Sequence, residues 1–213
     1  MSVAAKVCGL STPDAVDAAV AGGAAFVGFV FFPSSPRHVT PGKAAELAQA
    51  VPRSTQKVAV VVDPTDDELD TVLRSLDADL VQLHGQESPE RVAAIRDRFG
   101  CGIVKAISVA DAQDVVAAKR YESIADMVLF DAKPRAIDPV PGGNARSFDW
   151  SLLAGIEMEL PWFLSGGLTA DNLADAVGTT GARLVDVSSG VESTRGTKDP
   201  AMIAAFLMTA HRL

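Results

Sequence analysis

The chain has only two cysteines, Cys8 and Cys101, among 213 residues. They stand too far apart for a disulfide framework or a metal-ligand spacing. Runs of lysine or arginine are missing, and the formal net charge is −8. No nucleic-acid or anionic-membrane partner is therefore expected. No apolar stretch approaches the length that spans a bilayer. The first ten residues lack the basic segment and long apolar run of a signal peptide. Nor does any Pro/Ser/Gly-rich linker or low-complexity tract divide the chain. These absences point to a single cytoplasmic domain, residues 1–213, with reduced thiols. A chain of this length that is 48% hydrophobic can bury a full core. An anionic substrate would have to be held by local features, namely one or two arginines and backbone amides at helix starts.

What is present is repetition. Short apolar, β-branched runs occupy residues 4–7, 25–31, 57–62, 79–83, 102–107, 126–130, 162–164 and 183–187. Between them lie segments with helical spacing and start signals. Thr12-Pro13, Thr40-Pro41, Ser88-Pro89 and Asp199-Pro200 each place a capping residue before a proline. Thr65 precedes Asp66, Asp67 and Glu68, which suit a helix N-terminus. Thr169-Ala170-Asp171 opens another. Strand followed by helix, eight times, predicts the α/β class and a single (β/α)₈ TIM barrel. An open doubly wound sheet is the alternative. Residues 132–146 are irregular, with three prolines and Gly142-Gly143, and a long loop of this kind is usually functional.

In such a barrel the chemistry sits where strands run out into loops. The first strand ends Lys6-Val7-Cys8, and residues two apart share a face. A cation beside a thiol lowers its pKa and favours the thiolate that a base requires. A lone cysteine is otherwise a small buried hydrophobe. Cys101 begins a strand and is assigned to structure. After the second strand, two prolines stiffen the loop that carries Arg37, whose planar fork suits a carboxylate. Gln82 and His84 share a face at the fourth strand's end. Asp131 closes the sixth strand, where partial burial would suit it to act as a general acid. Ser165-Gly166-Gly167 and Ser188-Ser189-Gly190 follow strands seven and eight, the usual phosphate grip of such barrels. In a closed barrel strands one and eight are neighbours, so an inward Asp186 would pair with Lys6. The inventory holds no nucleotide fingerprint and no metal ligand set.

These residues resemble a family. Lys6-Val7-Cys8-Gly9-Leu10, Gly28-Phe29-Val30-Phe31 with Ser35-Pro36-Arg37, and Val81-Gln82-Leu83-His84-Gly85 are similar to motifs of the phosphoribosylanthranilate isomerases. So are Phe148-Asp149-Trp150, Ser165-Gly166-Gly167-Leu168 and the run from Val185 to Glu192 followed by Lys198-Asp199. They come in the family's order over nearly the whole chain. The resemblance implies a cofactor-free Amadori rearrangement of a small phosphorylated anthranilate. It implies Asp131 as the acid, Cys8 as the base and Arg37 on the anthranilate carboxylate. The residues themselves place Gln82 and His84, a polar pair at the barrel mouth, in hydrogen bonds to substrate or to a catalytic neighbour. Backbone at Gly143, Gly166, Gly167, Ser189 and Gly190 would take the phosphate. It allows a monomer or a homodimer. The chain departs from the family's Gly-Gly-Thr-Gly lid with Gly142-Gly143-Asn144-Ala145, and Ala145 is more restricted than glycine. Two rivals remain, another phosphosugar barrel enzyme or a non-catalytic phosphoanthranilate-binding protein. A metal-dependent epimerase would need a His/Asp cluster, and a lost activity would not require Cys8 and Asp131 together.

Overall fold

The structure is a computed structural model that describes residues 3–135, 142–143 and 147–213. Eight parallel strands close into a barrel in chain order. They are β1 (Ala4–Cys8), β2 (Phe26–Val30), β3 (Gln56–Val61), β4 (Leu80–Leu83), β5 (Gly102–Val109), β6 (Met127–Ala132), β7 (Trp162–Leu164) and β8 (Leu184–Val187). Each lies within about two residues of the run expected from sequence. Around them pack α1 (Pro13–Ala21), α2 (Pro41–Ala48), α3 (Asp66–Leu76), α4 (Pro89–Phe99), α5 (Ala112–Ala117), α6 (Leu173–Thr180) and α7 (Pro200–Arg212). A small hairpin, β9 (Glu192–Thr194) and β10 (Thr197–Lys198), precedes α7.

Start signals account for most helix positions. Thr40, Ser88 and Asp199 each accept a backbone N–H of the first turn. Thr65 and Glu68 form a reciprocal capping box. Thr12 caps α1 by backbone conformation alone, with Pro13 behind it. Thr169 and Asn172 exchange side-chain-to-backbone bonds, so the turn closes at Thr169 but α6 begins only at Leu173.

The strict strand–helix repeat breaks once. Among the described residues β6 is followed by no α-helix, and a 3₁₀ turn at Trp150–Leu153 stands in its place. The sequence between 133 and 142 holds three prolines, a composition that disfavours helix. Asn144 and Ala145, where the sequence departs from the lid motif, lie outside the described residues.

Two apolar layers hold the barrel. Outward residues such as Val27, Phe29, Val81 and Ile103 pack under the helices. Inward residues such as Phe26, Val58, Val104, Leu129 and Phe163 fill the interior. Phe26 and Phe163 meet edge to face at 5.1 Å and plug the barrel below the site. Phe163→Ala would therefore lose about 3–5 kcal/mol. Among the described residues no helix is long and apolar enough to cross a membrane.

Candidate active site

At the C-terminal mouth a cavity of about 800 Å³, open space included, collects most of the residues singled out in the sequence. Cys8, Arg37, His84 and Asp131 line it. So do Gly143, Gly166, Gly167, Ser189 and Gly190. Gln82 does not line it; buried behind His84, its amide Nε2 lies 2.8 Å from His84 Nδ1. That contact fixes the imidazole, whose Nε2 lies 3.3 Å from Asp131 Oδ2 without the alignment of a hydrogen bond. The other Asp131 oxygen accepts the Ala132 N–H at 2.8 Å. Gly142 leaves room above this pair, since a side chain there would press on both Asp131 and His84.

At the floor of the cavity, which Asp186 lines, the expected buried pair is present. β1 and β8 are paired with Lys6 opposite Asp186. Lys6 Nζ donates to Asp186 Oδ1 at 2.9 Å, and Ser165 Oγ donates to Asp186 Oδ2 at 3.1 Å. Burial pulls the ammonium pKa down, but Asp186 and Cys8 more than offset it, so Lys6 stays charged. Gly28 of β2 sits opposite Cys8. A side chain on Gly28 would occupy the space where Cys8 Sγ and Lys6 Nζ come together. This close approach explains a glycine in mid-strand.

One expectation reverses. Burial pushes the Cys8 thiol pKa up, and the pull of Lys6 and Lys198 only partly opposes it, because Asp186 adds its own negative field. The net direction is upward, not downward. Sequence shows the neighbouring cation but not the depth of burial or the counter-ion.

Arg37 also has company that its loop did not disclose. Its Nε and Nη2 donate to the two Glu192 oxygens at 2.6 and 2.9 Å, and Nη2 reaches Gly143 O at 3.0 Å. Gly143 thus stands against the guanidinium. Lys198 Nζ donates to Glu192 Oε1 at 2.7 Å and to Ser188 O at 2.8 Å. Ser188 Oγ donates to Cys8 O, tying the last strand's loop to the first. Glu192 and Lys198 each lie two residues beyond a glycine, Gly190 and Gly196, and charge in that position is their only sequence signal.

The loops after β7 and β8 touch. Gly166 and Gly167 both take positive φ, +86° and +69°, so the first loop turns where other residues are strained. A side chain on Gly190 would collide with the Leu168 carbonyl. The two glycine turns therefore form one continuous wall of backbone, which suits a ligand that takes N–H donors.

The family profile described as N-(5'phosphoribosyl)anthranilate (PRA) isomerase matches residues 5–209. N-(5'-phosphoribosyl)anthranilate isomerase of Rhodospirillum centenum is 55% identical, with 100% of both chains covered. That of Paramagnetospirillum magneticum is 54% identical over 99% of this chain and 98% of its own. Among solved structures, phosphoribosyl anthranilate isomerase of Thermotoga maritima superposes with a TM-score of 0.88 at 32% identity, covering 99% and 100% of the two chains. An isomerase in complex with reduced 1-(o-carboxyphenylamino)-1-deoxyribulose 5-phosphate superposes at 0.83 with 30% identity over the same shares.

Proposed function

The chain belongs to the phosphoribosylanthranilate isomerase family, and from that premise we propose that Cys8 and Asp131 are the base and the acid of its reaction. The reaction is the Amadori rearrangement of N-(5-phosphoribosyl)anthranilate to 1-(2-carboxyphenylamino)-1-deoxyribulose 5-phosphate, a step of tryptophan biosynthesis. The observation that carries the assignment is that both side chains line one cavity at the barrel mouth.

Asp131 gives its proton to the furanose ring oxygen. The C1–O bond breaks and the nitrogen lone pair forms a protonated Schiff base. Cys8 then takes the C2 proton, and the electron pair moves to the iminium to give an enolamine. Tautomerisation to the ketone returns a proton to C1, so the change is an isomerisation with no net redox. The iminium is a cation formed beside a thiol that burial keeps protonated. Its charge adds to that of Lys6 and lowers the thiol pKa, so Cys8 releases its proton to solvent at the open mouth and takes the C2 proton as the thiolate. His84 and Gln82 hold the acid from behind. Arg37 takes the substrate carboxylate. Backbone at Gly166, Gly167, Ser189 and Gly190 takes the phosphate, with Gly143 closing over Arg37.

Proton transfers of this kind call on side chains alone, so no cofactor is assigned. One barrel over residues 1–213 carries the whole site, which suits a monomer or a homodimer equally. A thiol base requires a reducing compartment, and the cytoplasm meets that need.

The test is a coupled assay with freshly made substrate and no added metal. Cys8→Ala and Asp131→Ala should each lose about 10²–10⁴ in turnover. Both should still bind a product analogue. Full activity in either variant overturns its role.

A further inference from the structure

Glu192 and Lys198, on the hairpin after β8, have no part in the chemistry above. Yet the Glu192 side chain is almost wholly covered and takes four donors. They are Arg37 Nε at 2.6 Å, Arg37 Nη2 at 2.9 Å, Lys198 Nζ at 2.7 Å and Gly196 N–H at 2.9 Å. Burial alone would push this carboxyl up, but Arg37 and Lys198 hold it at about 2, so it is fully ionised.

An arginine offers five N–H donors. The Nε hydrogen and one on Nη2 go to Glu192, and the second on Nη2 goes to Gly143 O. The edge that ordinarily makes paired bonds to a carboxylate is thus filled from within the protein. Only Nη1 keeps its donors, and no acceptor among the described residues takes them. Arg37 also lines the cavity. The cluster of Arg37, Glu192 and Lys198 keeps one net positive charge, enough for one carboxylate.

We propose that Glu192 is the positioning residue for Arg37: it occupies the Nε/Nη2 edge and so presents Nη1 to the aromatic carboxylate of the substrate. This rests on the assignment of Arg37 to that carboxylate. Glu192 thereby sets the preference for a carboxylated over an unsubstituted phenylamine. Lys198, anchored on Ser188 O and Oγ, keeps the Glu192 carboxylate in place and joins it to the loop after β8.

The experiment uses two reduced product analogues, one with the ring carboxylate and one without. Each is titrated into the parent enzyme, Glu192→Gln, Glu192→Asp, Arg37→Ala and the Arg37→Ala/Glu192→Gln double variant. Glu192→Gln should weaken the carboxylated analogue about tenfold and leave the other within about twofold. KM should rise by a like factor while kcat changes by less than about threefold. In the Arg37→Ala background the Glu192→Gln change should add less than about twofold, since its partner is gone. Glu192→Asp keeps the charge one methylene short. It should show a smaller loss of the same selectivity, which covers the case where the glutamine variant does not fold. Equal weakening of both analogues, or a fully additive loss in the double variant, would reduce Glu192 to general scaffolding and overturn the proposal. If Arg37→Ala binds the carboxylated analogue as tightly as the parent, the Arg37 assignment itself falls. That result differs from a silent Glu192→Gln beside a damaged Arg37→Ala, which sinks only the role of Glu192.

Discussion

Three lysines are buried and each is ion-paired to a carboxylate, Lys198 on the hairpin and Lys6 and Lys105 on barrel strands, and the two strand lysines are used differently. Lys105 of β5 lies outside the barrel wall, under the helices. Its Nζ donates to Leu83 O at 3.2 Å, Gly85 O at 2.9 Å and Glu87 Oε2 at 2.8 Å. Glu87 in turn accepts the Asp63 and Gly85 N–H groups. An ammonium has three hydrogens, and all three are placed. Lys6 lies inside the wall, and Asp186 takes one of its hydrogens at 2.9 Å. Its remaining field falls on Cys8 and the space over Gly28. Both pairs cost desolvation, and neither is evidence of stability by itself. A saturated pair can only hold loops together, whereas an incompletely bonded one can act on a neighbour.

Removing either partner should separate these uses. Lys105→Met leaves Glu87 buried without its cation and should lose about 3–5 kcal/mol of stability. Chemical denaturation would measure this loss, and the folded fraction should retain the parent's pH dependence of Cys8 alkylation. A shifted alkylation curve would erase the contrast. Lys6→Met should reduce turnover about a hundredfold and move the Cys8 titration to higher pH, because a cation that favours the thiolate is gone. The Lys6→Met/Asp186→Asn variant avoids an unpaired buried carboxylate and should keep the same upward direction, as Lys6 acts on Cys8 more strongly than Asp186 does. Thiol alkylation against pH in a Cys101→Ala background reads Cys8 alone, whatever its part in turnover. An unmoved curve would make Lys6 as structural as Lys105. The smallest effect concerns acid. Glu192 is held at about 2, below its ordinary 4.5, so its share of stability is complete above pH 4.5 and fades as pH falls toward 2. Glu192→Gln should flatten the unfolding free energy over that window, and an unchanged slope would contradict the depressed value.

Much of this was written in residue order. β-branched runs and capping residues gave eight strands near their observed limits, because a parallel strand buried on both faces and a capped helix are local events. The Lys6–Asp186 pair was also legible, since alternation sets the face and closure sets the neighbour. Three things were not. Arg37 and Glu192 are separated by 155 positions, and nothing local in either loop specifies the other. The direction of the Cys8 shift depends on burial and on Asp186 together, which only packing reveals. Gln82 shares a face with His84, but which of the two reaches the cavity is decided by depth along the strand.

The pairing of β1 with β8 has a consequence in time. The contacts Lys6 to Asp186 and Ser188 to Cys8 each span 180 residues. At a synthesis rate of roughly 5–20 residues per second, the lysine emerges about 10–40 s before its counter-ion exists. Until then it is hydrated and the thiol beside it has no pocket. Closure of the ring and assembly of the reactive centre are thus one event, and a nascent chain caught on the ribosome short of its eighth strand is chemically silent.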